Sequence, residues 1–100
     1  MTLLHTTLTA ESLELEGEID LVTIGILRDA LDDAIGSGVT TIDLSGVDFM
    51  DSTGVHALVT TASSLDGQGP LVLLRPSRSI ARLLDIALPG ATPGLVIRTD

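Results

Sequence analysis

Cysteine is absent from the 100-residue sequence, and aromatic residues are nearly absent, with Phe49 the only one. Without thiols the chain forms neither disulfides nor thiolate metal sites, and it has no cysteine nucleophile. One aromatic ring is too few for the stacking surfaces on which single-stranded nucleic acids bind. These two absences exclude thiol redox chemistry and argue against one class of nucleic-acid binding.

Basic residues are scarce and unevenly distributed. The formal net charge is −9, whereas a nucleic-acid backbone needs basic residues to neutralise it, so we expect no nucleic-acid partner. Residues 1–50 hold ten acids and one base, Arg28, and residues 51–100 hold four of each. The acidic first half fits either a face for a basic partner or a surface that merely keeps the chain soluble.

Long apolar runs are also missing. No stretch reaches the roughly 18 residues that a membrane-spanning helix needs, and no basic segment followed by an apolar one opens the chain. We therefore expect no membrane association and a cytoplasmic location. The length predicts one domain over residues 1–100, because a chain of this size encloses one core but not two.

The spacing of apolar residues predicts the element order β-β-α-β-α-β-α-β. Two segments within residues 2–20 are predicted to pair as a hairpin, and the second alternates in polarity, with Leu13 and Leu15 on one side. Apolar residues then recur at three- and four-residue steps in three stretches, each of which we predict to be helical. The helical stretches are 21–38, 52–69, which closes in a glycine-rich turn, and 77–88. The remaining strands are 39–46, 70–76 and 95–98.

Strands that alternate with short helices favour parallel pairing through right-handed crossovers. We therefore predict an α/β fold, with a mixed sheet of four to five strands and about three to four helices packed on it. Gly36 and Gly38 should end the first helix, and Ser77 should cap the third. The apolar run at 70–76 is typical of a strand covered on both faces. Residues 89–94 are predicted to form a turn.

The tetrapeptide Asp51-Ser52-Thr53-Gly54 joins a predicted strand to a predicted helix. Loops beyond the carboxyl ends of strands are where α/β folds tend to meet ligands and partners. Ser52 or Thr53 would serve as the N-cap of the helix, which requires only one hydroxyl. The other hydroxyl would lie at the positive end of the helix dipole, which favours a phosphate or another anion. On the residues alone, a plain cap and a regulatory site both remain open.

A further alternative, a hydrolase that uses Ser52 and His56, has little support. The nucleophile motif G-x-S-x-G lacks its first glycine, because Met50 stands there. His56 follows Ser52 by four residues and would share its helical face, but no acid is evident to orient it, and an exposed surface histidine explains it more simply. We expect no enzyme activity.

Metal and nucleotide binding are also poorly supported. Three acids could gather around Mg²⁺, namely Asp43, Asp48 and Asp51, although capping, turn formation or solvation explains each of them. The glycine-rich motifs that hold nucleotide phosphates are absent from the sequence. We therefore expect neither a metal nor a cofactor.

Three collinear stretches resemble the motifs of one family. Residues 17–20, "GEID", are similar to a G-E-[LI]-D segment before a first helix. Residues 49–55, "FMDSTGV", resemble a phosphorylation loop, and residues 77–90, "SRSIARLLDIALPG", resemble a closing helix. The family is the STAS domain, and within it the stand-alone bacterial anti-sigma factor antagonists. The resemblance implies a STAS-like sheet flanked by helices, and binding rather than catalysis.

The resemblance implies partner switching. In this family, the unphosphorylated antagonist binds an anti-sigma factor that is also a serine kinase, which frees the sigma factor. The kinase phosphorylates the loop serine and ends the binding, and a phosphatase restores it. The modified serine carries over to Ser52, with Thr53 as second choice, and we expect Thr53 to cap the helix while Ser52 points outward.

The resemblance also implies a partner-binding surface, comprising Asp20, Asp51, Ser52, Thr53, Gly54 and His56. The family usually has glycine where this chain has His56, and this difference bears on partner choice rather than on the fold. An alternative role is a STAS module that senses a small ligand or a nucleotide at the same helix N-terminus.

Overall fold

Strands and helices follow the predicted order in this computed structural model, which describes residues 3–65, 67–88, 90 and 92–99. Within those residues the elements are β1 (Leu4–Leu8), β2 (Leu13–Ile19), α1 (Ile24–Gly36), β3 (Thr41–Met50), α2 (Ser52–Ser63), β4 (Leu71–Leu74), α3 (Arg78–Ala87) and β5 (Leu95–Arg98). The predicted α/β class is confirmed, with five strands and three helices in the described residues. Pro89 and Ala91, part of the predicted turn at 89–94, lie outside them.

The strands lie in the sheet in the same order as in the chain. β1 and β2 form the predicted antiparallel hairpin, and the three other neighbouring pairs are parallel. One helix joins the strands of each parallel pair, and right-handed crossovers in a sequential order bring every helix to the same face of the sheet. The contacts of α2 with both α1 and α3 agree with this arrangement.

The core lies between that face and the three helices. Along β2, Leu13, Leu15 and Ile19 are buried, whereas Glu14 and Glu16 point to the opposite, open face. The helices contribute buried residues mostly at three- and four-residue steps, as an amphipathic surface helix requires. These residues are Leu27, Ala30, Leu31, Ala34, Val55, Ala57, Leu58, Ala62, Ile80 and Leu84.

Two predicted helix ends are confirmed and one start is corrected. α1 ends at Gly36, and Gly38 has the positive φ of 79° that glycine adopts readily. Ser77 caps α3, accepting a hydrogen bond from the backbone N–H of Ile80. The first helical stretch was predicted from residue 21, but α1 begins at Ile24, because residues 21–23 form a turn.

The prediction that the fourth strand is covered on both faces is wrong. Leu71 and Leu73 of β4 are buried under the helices, whereas Val72 and Leu74 are only half-buried. All the helices pack on one face, so the other face of β4 is shielded only by its neighbours. β3 and β5 flank this short strand on both sides, which gives Val72 and Leu74 partial cover and explains the unbroken apolar run.

Asp43 is the only acid that is buried among the described residues. Its Oδ1 accepts a hydrogen bond from the backbone N–H of Ser45 at 2.9 Å, and its Oδ2 lies 3.0 Å from Nη2 of Arg75. Burial alone acts to raise the pKa of Asp43, but the hydrogen bonds from Ser45 and Arg75 together outweigh it, so the pKa lies below its ordinary value. The ion pair ties β3 to the residue that follows β4.

Candidate functional site

Two turns lie side by side at the carboxyl ends of the parallel strands β2 and β3. Ile19 at the end of β2 is in register with Met50 at the end of β3. The backbone N–H of Asp51 donates to the carbonyl oxygen of Ile19 at 3.1 Å. Asp20 and Asp51 are the first residues beyond these strands, which lie about 4.8 Å apart in a sheet. The fold therefore brings together the two acids that the family resemblance places on a partner surface.

Asp51 is the N-cap of α2. It has an extended backbone, and its Oδ1 accepts hydrogen bonds from the backbone N–H of Thr53 at 3.0 Å and from the Thr53 hydroxyl. The prediction that Ser52 or Thr53 caps this helix is therefore wrong. Asp is as good an N-cap as Ser, and here it occupies the cap position one residue earlier, so both hydroxyl residues lie in the first helical turn.

The two hydroxyl residues have different surroundings. Ser52 is exposed, and no hydrogen bond to its hydroxyl is present within the described part of the chain. Thr53 is half-buried, and its hydroxyl donates to Asp51. Ser52 points outward as predicted, whereas Thr53 is turned inward because it donates to the cap. The arrangement leaves one hydroxyl open to a modifying enzyme and one hydroxyl engaged.

Asp20 has a structural role in its own turn. Its Oδ1 accepts hydrogen bonds from the backbone N–H groups of Val22 at 2.9 Å and Thr23 at 3.2 Å. The buried Thr23 hydroxyl donates to the carbonyl oxygen of Glu18 at 2.8 Å and accepts from the backbone N–H of Asp20 at 3.0 Å. Asp20 is consequently half-buried, and its carboxylate holds the turn that leads into α1.

Gly54 lies in the first turn of α2 and is buried. A Cβ atom there would lie 2.6 Å from Cγ2 of Ile19 and 2.8 Å from Cγ of Met50. A real Cβ atom essentially never makes contacts this short. Glycine at this position therefore allows α2 to pack directly on the ends of β2 and β3. Gly54 therefore determines how closely residues 51–54, the Ser52 turn, approach the sheet.

His56 is exposed on α2, one helical turn beyond Ser52 and on the same side of the helix. No hydrogen bond joins His56 to Ser52 or to an acid among the residues that the structure describes. The geometry gives the hydrolase alternative no support.

The acids considered as magnesium ligands do not converge. Asp43 and Asp51 are separated by eight residues of extended chain, which is about 26 Å, and Asp43 pairs with Arg75. No group of three potential metal-ligating side chains is present in the described residues. A cavity of about 390 Å³ lies on the open face and is lined partly by His5, Glu14, Glu16 and Asp43. It includes no residue of the Ser52 turn, and its acidic lining does not favour nucleotide phosphates.

Sequence reasoning missed the exposure of Leu21 and Val22, which are 74% and 78% exposed. They lie between Asp20 and the buried Thr23, at the same sheet edge as Ser52. The available signal was their position ahead of the apolar stripe that starts at Ile24.

No helix within the described residues is long and apolar enough to cross a membrane.

Comparisons with known proteins agree with this geometry. The STAS domain family model matches residues 6–88. A search of curated proteins finds no match to the sequence.

Solved structures match over nearly the whole chain. The anti-sigma factor antagonist SpoIIAA in its unphosphorylated form is 25% identical with a TM-score of 0.67, covering 95% of this chain and 87% of that one. The Bacillus cell fate determinant SpoIIAA in its phosphorylated form is 26% identical with a TM-score of 0.62, covering 95% and 90%. An anti-sigma factor antagonist from Mycobacterium paratuberculosis, 24% identical, matches in fold with a TM-score of 0.74 over 96% of this chain and 84% of that one.

Proposed function

Because the chain belongs to the STAS domain family, we propose that it is an anti-sigma factor antagonist switched by phosphorylation of Ser52. Its partner is an anti-sigma factor of the serine-kinase type, whose capture frees a sigma factor. A phosphatase reverses the modification. The chain acts as one domain over residues 1–100, in the cytoplasm, by binding and without a reaction of its own. Structural similarity to SpoIIAA supports the role.

One observation carries the choice of residue: Ser52 presents an exposed hydroxyl immediately after the cap of α2. A kinase reaches this hydroxyl without breaking a hydrogen bond within the described residues. Phosphorylation of Thr53 would instead break its bond to Asp51 and place a dianion against that carboxylate. Ser52 is therefore the better substrate.

The phosphate ends binding through charge. It adds about −1.5 to −2 charges beside Asp51. Each unit of like charge that the phosphate meets on the partner at roughly 5 Å costs about 3 kcal/mol of binding free energy at an effective dielectric near 20. After screening by salt, a loss of about 2–4 kcal/mol corresponds to roughly 30- to 1,000-fold in affinity. The fold survives, because backbone N–H groups at the start of α2 stabilise the anion.

The test is to incubate the chain with ATP and each serine-kinase anti-sigma factor encoded in the same genome, and to map phosphate by mass spectrometry. We expect phosphate on Ser52, a Ser52→Ala variant that stays bound in the presence of ATP, and a Ser52→Asp variant that binds weakly. Thr53→Val, which keeps the branched shape and removes the second hydroxyl, should still be modified and released. Phosphate found only on Thr53 would contradict the assignment.

A further inference from the structure

Leu21 and Val22 are the two most exposed large apolar residues in the described part of the chain, at 74% and 78%. Single exposed apolar residues are common on protein surfaces and need no explanation. These two are adjacent in sequence, and Ile26, half exposed at 48%, lies one helical turn beyond Val22. Core packing does not explain them, because the buried stripe of α1 runs through Leu27 and Leu31.

The backbone beneath these two side chains is fixed. The Asp20 carboxylate accepts from the N–H groups of Val22 and Thr23, and the Thr23 hydroxyl is bonded to both Glu18 and Asp20. The Thr23 side chain is itself 1% exposed. The hydrogen bonds of residues 20–23 therefore hold the backbone that carries Leu21 and Val22. A preordered surface loses less conformational entropy on binding than a mobile loop does.

This turn is continuous with the Ser52 turn. Asp51 bonds to the carbonyl oxygen of Ile19, the residue before Asp20, and Gly54 packs against the Ile19 side chain. A partner that covers Ser52 therefore also meets the neighbouring turn. Asp20 and Asp51 each use Oδ1 to hold their own backbone, and Leu21 and Val22 add exposed apolar surface at the same end of the sheet.

We propose that Leu21 and Val22 are the apolar anchor of the partner interface, and that the serine-kinase anti-sigma factor carries an apolar recess that receives them. The inference rests on the proposed function and deepens it. The anchor supplies affinity, since removal of water from apolar surface favours association, and Ser52 supplies the switch. In this account Asp20 is a positioning residue whose carboxylate shapes the anchor.

The experiment measures Kd by titration calorimetry with the purified serine-kinase anti-sigma factors of the same genome. The variants are Leu21→Ser, Val22→Ser and their combination. Ile86→Ser is the matched control, because Ile86 is 72% exposed on α3, outside both turns. We expect each anchor variant to lose about tenfold in affinity and the pair more, as for central interface residues. Ile86→Ser should stay within about twofold, and all variants should melt like the wild type, because the changed side chains are exposed.

Leu21→Met and Val22→Ile keep the apolar surface and should keep the affinity. Wild-type affinity in the Leu21→Ser, Val22→Ser pair, with Ser52→Asp still weakening the complex, overturns the anchor and leaves the proposed function standing. An equal loss in Ile86→Ser also overturns the anchor. A wild-type chain that binds none of these anti-sigma factors overturns both proposals.

Discussion

The turns after β2 and β3 use the same hydrogen bond to present different chemistry. In each, the first residue beyond the strand is an aspartate whose Oδ1 accepts from the backbone N–H two residues later: Asp20 from Val22 at 2.9 Å, and Asp51 from Thr53 at 3.0 Å. The turn after β2 displays two apolar side chains, whereas the turn after β3 displays the Ser52 hydroxyl. In the proposed function, neighbouring turns thus divide partner binding from switching.

A third aspartate, Asp43, makes the same hydrogen bond inside a strand and not in a turn. Asp43 accepts from the backbone N–H of Ser45 at 2.9 Å, but it lies within β3, is buried and pairs with Arg75. Its carboxylate is held by Ser45 and Arg75 on the open face of the sheet. The hydrogen bond from a backbone N–H to the aspartate therefore fixes only the local backbone. The side chains that a turn exposes decide whether the turn has a function.

The largest effect on stability should come from filling the space under the Ser52 turn. Gly54→Ala places a methyl group against Ile19 and Met50, and overpacking of this kind costs about 1–3 kcal/mol. Gly25→Ala is the matched control in the first turn of α1, where a Cβ atom meets nothing within 4 Å. It should gain up to about 1 kcal/mol, because alanine is the better helix former. Urea unfolding measures both, and equal changes would contradict the tight packing at Gly54.

The next effect separates the hydrogen-bond acceptor of each aspartate from its charge. Asp51→Ala should lose about 0.5–2 kcal/mol of unfolding free energy, as expected for a lost cap. Asp20→Ala removes the acceptor of two turn N–H groups and should lose about 0.5–1.5 kcal/mol. Asp20→Asn and Asp51→Asn keep an acceptor oxygen and should lose less than about half of that. Thermal melts at neutral pH compare the four variants. A full loss in the asparagine variants would mean that charge, not the acceptor, holds these turns.

The smallest effect concerns Asp43, where charge should matter. Its folded pKa lies below the ordinary value, so the ionised carboxylate stabilises the fold above the ordinary carboxyl range. That stabilisation is lost as the pH falls through the folded pKa. Asp43→Asn keeps an acceptor for Ser45 but loses the ion pair, at a cost of up to about 1 kcal/mol for a half-exposed arginine partner.

The measurement for Asp43 is the difference in unfolding free energy between the wild type and Asp43→Asn from pH 7 down to pH 3. The gap should shrink as the solution becomes more acidic. A gap that is constant or grows toward acid would show that the Arg75 pair contributes nothing through charge.

Local patterns in the sequence predicted the elements well. The alternation around Leu13 and Leu15 predicted β2, and the three- and four-residue spacing of Leu27, Leu31 and Ala34 predicted α1. These patterns work because one face of each element is buried, which is a local property of the chain. The sequential strand order follows from tertiary pairing, so the half-covered face of β4 was not predictable from its apolar run.

The site was predicted in position and less well in detail. Asp51, Ser52 and Thr53 are all favoured N-cap residues, and only the point at which β3 ends selects Asp51. The helical stretch predicted over 21–38 includes Leu21 and Val22, although its apolar stripe starts at Ile24. Their exposure depends on the network between Asp20 and Thr23, which joins residues through side-chain contacts that no spacing rule encodes.

The most direct test of the switch is a comparison of two affinities measured without a kinase reaction. Phosphoserine is inserted at position 52 during translation, and the modified and unmodified chains are titrated into the same serine-kinase anti-sigma factor. We predict an affinity roughly 30- to 1,000-fold lower for the phosphoserine chain, with an unchanged melting temperature because α2 accepts the anion at its N-terminus. Equal affinities for the two chains would contradict the claim that Ser52 phosphorylation controls this protein.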